Sequence, residues 1–258
     1  VLLIVLWWLV LLAFLAIQFA ATTRSAVMIA SNLRDNASAE AEADGAVNKA
    51  VFQLLAHRWQ ADGTSHVVRG MQAITKVRIE DEGEWIDPNV APPALMQALL
   101  GACGASPETA VRVAAAIADW RSPDILRSVR AEKASQYRIA QYDYLPPGTR
   151  FVSVDELGLV MGMTSELLAC LKPHMSVYSL SVPTLQSTTD YVVRRAVREA
   201  YPDDATHPAV AIINEVTVVR VTAIVQGASG GRFQRVAVVR IASAVRNDHF
   251  AFKILSWE

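Results

Sequence analysis

The first 21 residues, VLLIVLWWLVLLAFLAIQFAA, carry no charged side chain. Coiled as an α-helix at about 1.5 Å per residue they span roughly 30 Å, the thickness of a bilayer's hydrocarbon core. A helix satisfies its own backbone groups where no water can, so the run predicts a transmembrane anchor from Val1, through Leu9 near its middle, to Ala21. Gln18 is its only strongly polar side chain, and Arg24 is the first charge, placed where a long side chain can reach the interface. A cleaved secretory signal has a shorter apolar region, about 7 to 15 residues, ending at a small-residue cleavage site. This run is longer and flows into more helix-favouring sequence. A retained anchor is therefore expected. The opening without Met suggests a leader trimmed away or a later start.

The rest of the chain reads as a body carried on that anchor. Residues 22–58 hold no Pro and one Gly, Gly45, and continue the helix. Anchor and continuation together make one helix approaching about 90 Å. Val47, Val51 and Leu54 fall at i, i+4 and i+7, an apolar stripe expected to face a partner helix. After a break at 61–64, branched residues from His66 to Ile79 alternate with charged ones as strand, and Asp81, Glu82 and Gly83 read as a hairpin turn that returns at Trp85 and Ile86. Prolines then stop the strand pattern. Helices are expected over 93–100, 107–120, 153–161 and 165–175, with Ser106, Ser153 and Thr164 as N-caps, and more weakly over 188–200. From Glu215 onward three branched-rich runs, EVTVVRVTAIVQ, RFQRVAVVRIASAV and AFKILSW, read as strands. The expected organisation is α+β: residues 1–21 as the anchor half of the first helix and 22–60 as its second half. Residues 61–88 give the first strands, 89–180 a helical insert and 181–258 the remaining strands of a sheet split in sequence.

Charge excludes some functions. Lys and Arg number 24 against 25 Asp and Glu, so no overall field draws nucleic acid. Two stretches, LMQALLGACGASPETAVRVAAAI and SVDELGLVMGMTSELLACL, join short helices through Gly-bearing turns, a device that can offer backbone amides to DNA phosphates. Neither turn carries a cation, and plain packing is the simpler reading. The five histidines are scattered without metal-ligand spacing, and no nucleophile elbow or phosphate loop occurs. The acidic run around Asp81, Glu82 and Asp87 has oxygens enough for Ca²⁺, but its spacing is not that of an EF-hand, and a solvated turn is the alternative. Cys103 and Cys170 are the only cysteines. In an oxidising compartment a disulfide between them adds about 4 kcal/mol, and two separate buried thiols are the alternative.

The order of parts resembles the K-type minor pseudopilin of bacterial type II secretion systems. The resemblance rests on Glu42-Ala43-Asp44-Gly45-Ala46 in the first helix and on Ile86-Asp87-Pro88-Asn89. It continues through Ile117-Ala118-Asp119-Trp120-Arg121-Ser122-Pro123-Asp124, Ala131-Glu132 with Tyr137, Tyr144 and Pro147, and Phe151-Val152-Ser153-Val154-Asp155-Glu156-Leu157. Ser122 stands where that family usually has a second Asp, and Gly148-Thr149 where an Asn is common. The resemblance implies a pilin-like fold, the long helix packed on a small antiparallel sheet that carries a large helical insert. It further implies storage as a single-pass protein in inner-membrane lipid with the body in the periplasm, and a place at the tip of a short pseudopilus among other minor pseudopilins. Pilin-like subunits usually carry a Glu near the start of the mature chain, which receives a neighbour's amino terminus. No acidic residue precedes Asp35 here, which suits a subunit with none ahead of it. The resemblance implies no enzyme, no cofactor and no nucleic acid; a competence-type minor subunit with a DNA-binding helical domain is the alternative.

Overall fold

The computed structural model describes residues 2–70, 73–123, 127–179, 181–202, 216–226, 231–242 and 251–258; of the side chains, those of 19–24, 127–131 and 216 also lie outside the description. Helix α1 (Leu2–Leu55) is continuous and is followed by strands β1 (Asp62–Arg69) and β2 (Ile74–Asp81). Helices α2 (Pro93–Ala102), α3 (Pro107–Arg121), α4 (Arg127–Ile139), α5 (Ser165–Leu171) and α6 (Tyr191–Ala200) come next. Strands β3 (Val216–Gln226), β4 (Arg232–Ala242) and β5 (Phe252–Trp257) close the chain. The strands form one antiparallel sheet in the order β1-β2-β3-β4-β5, so β2 and β3 are neighbours although the helices lie between them in sequence. This is the α+β fold expected, and its sheet is split by the helical block.

The chain divides into two compact units. The first comprises Val1–Ile79, Val221–Ala237 and Trp257–Glu258. In it the last third of α1 buries Ala43, Ala46, Val47, Ala50 and Val51, spaced to share one helical face, while Val77, Ile79, Val221, Ala223 and Val225 are buried at every second strand position. The second unit comprises Glu80–Arg220 and Val238–Ser256. Its core joins Leu95, Leu99 and Leu100 of α2, Val113, Ile117 and Trp120 of α3, Phe151, Leu157, Leu171 and Val193. Ser106, Ser153 and Thr164 cap their helical segments through Thr109, Asp155 and Leu167 N–H groups, as the sequence predicts. Asp190 does the same for α6 through Val192 and Val193.

Several elements depart from expectation for local reasons. Residues 81–83 are no hairpin turn: Asp81 accepts from the Gly83 N–H and opens a 3₁₀ turn, Glu82–Glu84. Ile86 then pairs in parallel with Met175. Between β1 and β2 the Gly70 N–H donates to the Ala73 carbonyl. Strand β1 begins inside the expected break, with Gly63 at φ +76°. The segment 153–161 makes only a 3₁₀ turn, Val154–Leu159, and α5 gives way at Leu171 to a 3₁₀ turn containing Pro173. Helix α4, with little apolar periodicity in RSVRAEKASQYRI, was not anticipated. Residues 227–230, between β3 and β4, and residues 243–250 lie outside the described residues.

Candidate interaction surfaces

Helix α1 changes character along its length. Every described side chain from 2 to 18 is exposed, and so is every one from 25 to 37. Leu9 is 59% exposed; Val1 and the Ala21 side chain lie outside the described residues. Among the described residues no helix is long and apolar enough to cross a membrane, and the expected anchor runs into the undescribed side chains at 19–24. The expected partner face needs correcting. Val47 and Val51 are buried within the chain itself, with Leu54 half-buried, because the stripe at i and i+4 is the one this helix turns to its own body. Beyond its opening run, the large apolar side chains that α1 leaves exposed among the described residues are Val27, Met28, Ile29, Leu33 and Phe52. Arg235 of β4 holds this helix from the side, with Nε 2.7 Å from Asp44 and Nη2 2.7 Å from Glu40.

In the second unit the separated motifs converge. Asp87 Oδ1 accepts from the Asn89 N–H at 2.7 Å, and the Asn89 side chain in turn donates to the Phe151 carbonyl and accepts from the Phe151 N–H. Arg121, in the last turn of α3, donates to the carbonyls of Pro88 and Ala91. Trp120 stacks on Phe151, ring centroids 5.8 Å apart, and meets Tyr144 edge-on, while Tyr137 closes the aromatic group. Lys133 of α4 donates to the Asp119 carbonyl at the end of α3, where a cation suits the helix dipole. Asp87 is wholly buried, its Oδ2 has no hydrogen-bond partner, and Arg150 stands 4.0 Å away. Burial therefore pushes its pKa up to about 6, partly offset by the Asn89 amide and the arginines.

The acidic run separates in role. Asp81 caps the turn, whereas Glu82 is fully buried, paired with Arg220 at 2.8 Å and accepting from the Ser176 hydroxyl. Burial raises the Glu82 pKa, against the pull of Arg220. Arg220 also lies over the Trp85 ring, 4.5 Å from its centroid. With Ile86 N–H donating to the His174 carbonyl and Ser176 N–H to the Ile86 carbonyl, these contacts tie the beginning of the helical block to its end. Among the described residues no group of three or more His, Cys, Asp or Glu is placed to hold a metal ion, and Ser122 spends its hydroxyl on the Ala118 carbonyl. Cys103, at the end of α2, and Cys170, in α5, are joined by a disulfide. His174 pairs with Asp190, a contact the sequence reading missed because the partners are 16 residues apart with no periodic relation.

A long helix, its last third packed into a small antiparallel sheet interrupted by a helical block, is the architecture of a pilin-like protein. Residues 79–180 match the family model of type II secretion system protein K. The fold is similar to that of a chain in the crystal structure of the GspK-GspI-GspJ complex from the enterotoxigenic Escherichia coli type 2 secretion system. The TM-score is 0.55 at 15% identity, over 92% of this chain and 98% of that one. No curated relative matches the sequence. The helical block is thus similar to type II secretion system protein K, and the fold of the chain to that of the solved structure.

Proposed function

We propose that this chain is a minor pseudopilin that caps the type II secretion pseudopilus and nucleates its assembly, stored beforehand in the inner membrane with its body in the periplasm. The observation that carries this reading is the protein K match over residues 79–180. A carboxylate buried in lipid without a partner is costly, so a subunit with nothing ahead of it in the fibre gains nothing from one in its apolar run. Its partners are other minor pseudopilins, as in the three-protein complex whose chain it resembles. The role is structural. A disulfide between Cys103 and Cys170 suits an oxidising compartment, and the uncharged residues 1–21 suit lipid.

Two measurements test the reading. Cells carrying only the Val5→Glu form should secrete no better than the parent; better assembly, or this subunit found along the shaft, would assign it to the fibre body. Leu9→Arg should cost about 3 kcal/mol of insertion and deplete the chain from membranes, and unchanged membrane fractionation would remove the anchor.

A further inference from the structure

Helix α6 is more basic on its outer face than its own fold can use. Tyr191, Arg194, Arg195 and Arg198 fall at i, i+3, i+4 and i+7, so they share one face, and all four are exposed, Tyr191 by 78%. The opposite face, Val193, Ala196 and Val197, is buried and packs toward α2. Like charges at Arg194 and Arg198 oppose the helix, and arginines near its beginning meet the positive end of its dipole. Of the carboxylates on or beside this helix, Asp190 is already occupied, with Oδ1 capping α6 and Oδ2 on His174, and Glu199, at i+4 from Arg195, joins no ion pair among the described residues. Among the described residues none of the three arginines has an ion-pair partner.

A groove adjoins this face. Of about 330 Å³, it lies where α2 and α3 meet the end of α6, lined by Ala94, Ala98, Gly101, Ala110 and Val111, and it reaches Glu199 and Ala200, which follow Arg198. Gly101 leaves it open, since a Cβ there would meet nothing within 4 Å. Glu199 is the charged residue of its lining, and Arg195 and Arg198 precede it on α6 by one turn and by one residue; arginine near an apolar depression is a side chain that anchors protein interfaces. A lipid surface is a poorer fit: a helix lying on a membrane inserts its apolar face, and here that face is in the core. A nucleic acid is poorer too, because the chain's net charge is −1 and the stripe holds only three cations.

We propose that the exposed face of α6 and the adjoining groove dock a carboxylate-rich segment of another protein, its acidic side chains on Arg194, Arg195 and Arg198 and its small apolar side chains in the groove. Glu199 at the rim repels a carboxylate there and so fixes which part of the segment enters. The proposal stands apart from the tip assignment and does not depend on it.

The test uses the full chain in nonionic detergent with three labelled probes: a glutamate–leucine copolymer peptide, a short DNA duplex, and micelles doped with phosphatidylglycerol. The peptide should bind, and binding should fall at least tenfold in the triple variant Arg194→Gln, Arg195→Gln, Arg198→Gln, and again in Gly101→Leu, which fills the groove. Circular dichroism checks that each variant is folded, and Arg195→Gln alone, with a smaller loss, serves if the triple variant is not. No peptide binding, binding indifferent to the arginines, or tighter binding to the duplex or the anionic micelles would each overturn the proposal.

Discussion

Two strand arginines each clasp carboxylates, in very different surroundings. Arg220 of β3 meets Glu82, whose side chain is wholly buried, with the Ser176 hydroxyl on its other oxygen and the Trp85 ring beside the guanidinium. Arg235 of β4 meets Asp44 and Glu40, which remain 35% and 55% exposed, and lies over the rings of Phe233 and Trp257. The distances are alike, 2.8 Å against 2.7 Å, so geometry does not separate them. Water does. Where Arg235 is lost, solvent reaches its two carboxylates; where Arg220 is lost, the Glu82 carboxylate is left dry, which costs far more than the pair itself was worth. The dry clasp therefore commits the chain to the register that closes the helical block, and the wet one only adjusts how α1 lies in its own unit.

The largest effect that could break this comparison is at Arg220. Arg220→Ala should lower unfolding stability by about 3–5 kcal/mol, because Glu82 stays wholly buried and loses its counter-charge. Urea unfolding of the parent and variant measures it, and a loss under about 1 kcal/mol would make the two clasps equivalent.

Asp87 sharpens the contrast, being buried like Glu82 but with its nearest charged partner at 4.0 Å. Its pKa in the folded chain is raised to about 6 from an ordinary 3.8, so the folded state takes up the proton first as pH falls. Its contribution is most favourable below about pH 4 and is lost as pH rises through about 6, a change on the order of 3 kcal/mol. Asp87→Asn should flatten that part of the stability profile. Unaltered pH dependence between 4 and 6 in thermal melts of the variant would mean that the arginines already neutralise the carboxylate.

The exposed clasp should show the smallest effects. Asp44→Asn should cost about 0.5–1 kcal/mol at low salt and nearly nothing at high salt, and Glu40→Gln less still, about a few tenths. Chemical denaturation at two urea-compatible salt concentrations measures both, and a salt-independent loss above about 2 kcal/mol at Asp44 would show that this site behaves as a dry one.

These sites differ in how far they could be read in advance. The caps Ser106, Ser153 and Thr164 were legible because a cap is a local bargain between a hydroxyl and an amide two or three residues on. The stripe at Val47 and Val51 was legible as a stripe but not in its destination, since periodicity says that a face is apolar and not what covers it. Glu82 was read with its neighbours as an acidic turn because Arg220 and Ser176 lie 138 and 94 residues away. Helix α4 was missed because it offers few apolar residues to count, and its buried contacts, Lys133 and Tyr137, are polar or amphipathic.

By itself the sequence determined the uncharged opening run, the helix that continues it, the order of the strands and of the helices other than α4, and the motifs from Ile86 to Leu157, because each of these is fixed by neighbours within a turn or a strand. Tertiary structure decided where α1 buries its stripe, which acid meets which arginine, that β2 lies beside β3, and that Cys103 reaches Cys170. Those outcomes depend on burial and on contacts between residues far apart in the chain. They are settled only when chain closure brings the partners together and removes the water that would otherwise make every such pairing nearly interchangeable.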